Sequence, residues 1–105
     1  DRIRATASLY GTQIVTDKDD SPHRLIPQMR GELYLGFAEH DPYVEDFVVP
    51  EMTALLDANE ALTYTLETHP GTEHGFCFPQ RPAYNADAAE DVWQKMLEMY
   101  RRALH

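Results

Sequence analysis

Cysteine, positive charge and long apolar runs are all scarce in this sequence, and each scarcity excludes something. The one cysteine, Cys77, has no partner for an internal disulfide, so the chain is not a disulfide-stapled secreted scaffold and suits a reducing, cytoplasmic compartment. No apolar stretch approaches the roughly 20 residues of a membrane helix, and no signal peptide is visible. Nine Lys and Arg face eighteen Asp and Glu, for a formal net charge of −9. From Glu39 to Asp91 the only cation is Arg81. Such a surface repels phosphate backbones, which argues against nucleic-acid binding. An initiator methionine is missing too: the chain opens "DRIRATASLYG" and enters an apolar segment within a few residues. This predicts that the 105 residues are the end of a longer protein.

What is present is globular. The composition is 43% hydrophobic and 26% charged, enough for one small domain. Ala5, Ala7 and Leu9 alternate with Thr6, Ser8 and Tyr10, predicting a first strand that Gly11 stops. "TDKDDSPH" is loop by composition. A second strand is expected over about Glu32 to Phe37, followed by a polar loop that Pro42 helps to fix. Pro50 suits the first turn of a helix carrying Met52, Leu55 and Leu56 on one side. "LTYTLET" reads as a third strand. Asn85 is placed to cap a long terminal helix, along which Ala89, Val92, Trp93, Met96, Met99, Tyr100 and Ala103 recur at helical spacing as core. Strands alternating with helices predict an α/β fold, a mostly parallel sheet with flanking helices and one bare edge.

Functional groups in open parallel sheets gather beyond the carboxyl ends of the strands. Asp41 follows the second strand in "GFAEHDPYV", and His74 follows the third in "HPGTEHGF". Parallel neighbours would bring both to one rim, where a carboxylate can fix the tautomer of an imidazole whose other nitrogen takes a proton from a nucleophile. Each residue has a plainer reading as well. Asp before Pro forms turns, a Gly-flanked His hydrogen-bonds at surfaces, and Gly75 supplies a positive φ. A metal site built from His40, Asp41, His69 and His74 is a third possibility, although no spacing here matches HExxH, paired CxxC or an EF-hand loop.

Taken in order, four stretches resemble the dienelactone hydrolase family of α/β-hydrolases. "RATASLYG" is similar to the strand after the family's nucleophile helix, and "GELYLGFAEHDPYV" to the strand and loop bearing the triad acid. "YTLETHPGTEHGF" is similar to the last strand with the triad histidine, and "YNADAAEDVWQKMLEMYRRAL" to the terminal helix. The resemblance implies that residues 1–105 are the C-terminal segment of a single α/β-hydrolase domain, with Asp41 as triad acid and His74 as base. It implies a Cys or Ser nucleophile on a G-x-C-x-G-G turn ahead of this chain, where the oxyanion hole also belongs. No G-x-C-x-G or G-x-S-x-G occurs here. Ser8 lies in a strand, Ser21 in a loop without the glycines of an elbow, and Cys77 lacks the strand-to-helix elbow a nucleophile needs.

The resemblance also bears on substrate. Members that handle the true dienelactone hold its carboxylate with an arginine at the position of Phe78, whereas Arg81 here is displaced by three residues. The apolar "FCFP" run favours a less charged acyl or alcohol group. The expected function is therefore hydrolysis of a small-molecule ester or lactone, without cofactor or metal, by this segment together with the missing N-terminal half. Alone, the segment is expected to be inactive. The alternative is a non-catalytic hydrolase-like module that binds a partner or self-associates as a homo-oligomer through its bare sheet edge.

Overall fold

A computed structural model of the chain describes residues 3–104. Three strands, β1 (Ala5–Leu9), β2 (Gly31–His40) and β3 (Leu62–Glu73), form one sheet in the order β1-β2-β3. Both pairings are parallel. Helix α1 (Val48–Asp57) connects β2 to β3, and α2 (Ala86–Ala103) follows β3.

The central strand shows why this arrangement holds. Residues Leu33 to Ala38 are all buried, as expected where helices cover both faces of a parallel sheet. Their side chains alternate: Leu33, Leu35 and Phe37 enter the core with Val48, Met52 and Leu56 of α1, whereas Tyr34 and Ala38 enter a second core with Ala89, Val92 and Met99 of α2. Gly36 takes its place on the second face because a Cβ there would meet the Tyr34 ring at 3.2 Å and Leu9 at 3.4 Å.

Helix α2 begins as the sequence predicts, with the Asn85 side chain accepting the Ala88 N–H at 3.1 Å. Asp87 in its first turn and Arg101 and Arg102 in its last complement the helix dipole. The expectation that Trp93 belongs to the core is wrong: it is 45% exposed. The buried stripe runs through Ala89, Val92 and Met99, with Met96 half-buried beside it. At 3.6 residues per turn this turns Trp93 and Leu97 onto a neighbouring flank, with half-buried Tyr100 at its margin. Lys95, on the other flank, reaches Glu67 of β3. The apolar stripe therefore lies on the β1 side, above the strand whose outer edge has no partner among the described residues.

Three other boundaries differ from expectation. The polar stretch after β1 leads into a 3-10 helix, Pro22–Gln28, whose Ile26 is buried and whose carbonyl, with that of Met29, accepts the Asn59 side-chain amide. Strand β1 stops at Leu9, and Tyr10 turns away with φ 42° into the α2-side core. Both β2 and β3 run further than their apolar patterns, so Glu39 and His40 belong to a strand and not to a loop. An irregularity between Ala38 and His40 makes this possible: Glu39 N–H donates to the Thr72 hydroxyl, and its carboxylate accepts the Gly71 N–H at 2.7 Å.

Candidate active site

The last paired residues of β2 and β3 are His40 and Glu73. The next residue on each strand is Asp41 and His74, so the register alone sets these two abreast at the carboxyl rim. His74 Nδ1 and Asp41 Oδ2 are 2.7 Å apart. The Asp41 side chain is only 2% exposed, and its other oxygen, Oδ1, accepts the Tyr43 N–H at 2.9 Å. The turn-forming role of an Asp before Pro and its role beside the histidine are thus performed by different oxygens of one carboxylate. An ionised carboxylate only accepts, so the imidazole carries its proton on Nδ1 and presents an unprotonated Nε2. The His74 side chain is 26% exposed, enough for that nitrogen to meet another group.

Several neighbours hold the loop. Thr72, fully buried two residues before His74, donates its hydroxyl to the His69 carbonyl. Gly75 has φ +85°, and Phe76 and Cys77 then plunge into the core. Successive turns, in which Phe78, Arg81 and Tyr84 donate to the carbonyls of Gly75, Phe78 and Arg81, curl the chain back. They lay the Arg81 side chain against Gly75, where a Cβ would stand 3.0 Å from its Cδ. Arg81, three positions late in the sequence, thus returns beside the histidine loop. Tyr10 and Tyr43 both pack on the imidazole in T-shaped contacts, each with centroids 5.2 Å away. Sequence pattern gave no hint of Tyr10, which sits where a strand residue was expected.

The other candidates are accounted for. Ser21 is 2% exposed, donates to the Ile14 carbonyl, accepts the Thr16 N–H and lies 2.6 Å from His23 Nδ1, so its oxygen is a structural knot. Cys77 is buried, and burial pushes its thiol pKa up, which disfavours the thiolate a nucleophile needs. His40, Asp41, His69 and His74 do not converge on one point. Among the described residues the ligand atoms of Glu67, His69 and Asp91 do approach within 4.8 Å, but Lys95 already bridges the two carboxylates.

A parallel sheet covered on both faces, with a part-buried Asp–His pair where two adjacent strands end, matches an α/β-hydrolase type of fold. Residues 1–104 match the model of the Dienelactone hydrolase family, and the chain belongs to that family. A Synechocystis protein named "Putative carboxymethylenebutenolidase" is 33% identical, the match covering 97% of this chain and 42% of the relative. One of the same name from Saccharolobus solfataricus is 27% identical, over 96% of this chain and 38% of its own. The crystal structure of a "Putative Dienelactone Hydrolase" from Klebsiella pneumoniae superposes with a TM-score of 0.82 at 23% identity, over 93% of this chain and 42% of that one, a likeness of fold. The chain thus spans about two fifths of the length of these proteins.

Proposed function

We propose that these residues supply the acid and base of an ester or lactone hydrolase whose nucleophile and oxyanion donors precede them. The observation that carries this reading is the 2.7 Å contact of His74 Nδ1 with a carboxylate whose side chain is 2% exposed. In the proposed reaction a Cys or Ser attacks the carbonyl carbon while His74 Nε2 takes its proton. Asp41 stabilises the resulting imidazolium. The tetrahedral intermediate collapses as the imidazolium returns its proton to the leaving alkoxide, or to the ring oxygen of a lactone. His74 then removes a proton from water, which releases the acid and the nucleophile.

Phe78, 47% exposed beside this site, would line an apolar part of the substrate. Arg81, folded back over Gly75, would meet a carboxylate if the substrate carries one. The open edge of β1 and the Trp93 stripe are where a preceding strand and helix of the complete domain would pack. The same bare surface favours the second reading, a self-associating module without catalysis.

The test is His74→Ala in a polypeptide that joins these residues to a preceding elbow-bearing half. Hydrolysis of a chromogenic acetate ester and of a five-membered enol lactone should fall at least about 10³-fold. Unchanged turnover would remove the catalytic reading. Concentration-dependent dimerisation of the 105-residue chain would then favour the self-associating module.

A further inference from the structure

Tyr10 combines three features that the hydrolase reading does not use. Its φ is 42°, in the left-handed region that a glycine would occupy without strain. It is 8% exposed, yet its buried hydroxyl has no oxygen or nitrogen partner and faces only the buried Cys77 thiol. Burial pushes the phenol up to about 12, keeping it neutral. A tyrosine in this conformation must gain through its side chain, and because a thiol is a weak partner for the hydroxyl, the ring is the part that matters.

That ring stands edge-on to His74, at 5.2 Å and an interplanar angle of 62°. Behind, it is wedged by Phe76 at 5.4 Å and Phe78 at 5.8 Å. Its backbone N–H is fastened to the Gly36 carbonyl at 2.6 Å, tying the residue to the central strand. A single hydrogen bond from Nδ1 to Asp41 fixes one atom of the imidazole but leaves the ring able to swing about that contact. A second, rigid contact is needed to fix the plane, and with it the direction of Nε2. Tyr43 also packs on the imidazole but is 62% exposed, so buried Tyr10 is the fixed wall.

We propose that Tyr10 is a positioning residue that sets the plane of the His74 imidazole through its ring, not its hydroxyl. Its catalytic consequence rests on the proposed role of His74 as base; the geometric claim does not.

The experiment is nuclear magnetic resonance of the full chain with 15N-labelled histidine, for the wild type, Tyr10→Phe and Tyr10→Leu. The wild type should show ring-to-ring Overhauser contacts between Tyr10 and His74 and a single Nδ1–H tautomer. Tyr10→Phe should preserve both the contacts and the tautomer. Tyr10→Leu should give averaged tautomers. Joined to an elbow-bearing half, Tyr10→Leu should lower kcat about tenfold with KM within about twofold, and Tyr10→Phe should change neither. A folded Tyr10→Leu with wild-type His74 signals would overturn the proposal, as would a Tyr10→Phe chain with disturbed ones. If Tyr10→Leu does not fold, the wild-type Overhauser contacts and Tyr10→Phe still decide. The turnover of His74→Ala tests the hydrolase reading separately.

Discussion

The hydroxyl of Tyr34 lies 2.8 Å from Glu67 Oε1 and 3.1 Å from His69 Nε2, beneath α2. A phenol has one proton; donating it to the carboxylate leaves its oxygen to accept from the histidine. His69 therefore carries a proton on Nε2, the nitrogen that His74 leaves free, and its Nδ1 stands 3.9 Å from Asp91, beyond hydrogen-bond reach. Lys95 pairs with both Glu67 and Asp91 and so ties this face of β3 to α2.

This network and the Tyr10 pocket make the fold sensitive to alkali. Burial pushes the Tyr10 phenol from its ordinary 10.0 up to about 12. Burial, then the hydrogen bond to Glu67, pushes Tyr34 up as well. Burial pulls the Lys95 ammonium down, but Glu67 and Asp91 outweigh that and hold it above its ordinary value. For every group raised in the folded state, the stability contributed is complete below the unfolded pKa and is lost as pH rises through the folded one. The window for Tyr10 is thus pH 10 to about 12. Tyrosinate absorbance and circular dichroism followed together should show Tyr10 and Tyr34 ionising as helix is lost. All six tyrosines titrating near pH 10 with the helices intact would contradict this burial.

Lys95 also decides the metal question. Its ammonium stands between the carboxylates that a cation would need, and displacing it would leave that charge to be accommodated elsewhere. Equilibrium dialysis should therefore find no stoichiometric uptake of zinc or nickel by the wild-type chain. One equivalent bound, and lost on His69→Ala, would show that the ion outcompetes Lys95.

Leu56 is 1% exposed at the end of the Val48, Met52, Leu56 stripe that seals α1 on the sheet. Leu56→Ala should lower stability by about 3 kcal/mol, read from the urea midpoint. A loss below about 1 kcal/mol would mean that this face is packed more loosely than described.

How far this was legible in the sequence depended on whether the signal was local. Alternation in β1 and helical spacing in α1 are written in consecutive residues, and a strand and a helix form there, the strand ending at Leu9. The Asn85 cap is equally local. Asp41 and His74 are 33 positions apart, and only the parallel register of β2 with β3 joins them; alternating strands and helices made that register expected. Three features were hidden. The extension of both strands depends on a cross-strand bond from Glu39 to Gly71, invisible along either strand. Arg81 returns to Gly75 only through successive turns. Trp93 fits the helical period as well as Met96 does, and only the placement of the sheet decides which of them is covered.

Asp41→Asn gives the sharper test of the pair, because an amide can keep the bond length while changing the proton. An Asn side chain offers either its carbonyl or its NH2 to Nδ1, so the tautomer with a basic Nε2 is no longer enforced. In a polypeptide that includes the nucleophile, kcat should fall about 10³- to 10⁴-fold with KM little changed. Equal loss in KM, or a mild effect, would mean that Asp41 only shapes the turn through the Tyr43 N–H.

Trp93 is the only tryptophan and is 45% exposed on the β1-side flank of α2, so it reports on whatever covers that surface. Emission from the chain alone should be red-shifted and readily quenched by acrylamide. Adding the preceding half of a family member should shift it to the blue, as the β1 edge gains a strand and the exposed flank of Trp93 and Leu97 gains a helix. Leu97→Glu, on an exposed position one turn from Trp93, should leave the chain folded and abolish the shift. If the shift instead appears on concentrating the chain alone, the partner is a second copy and the surface serves self-association. If neither condition moves the emission, the flank is not a docking surface.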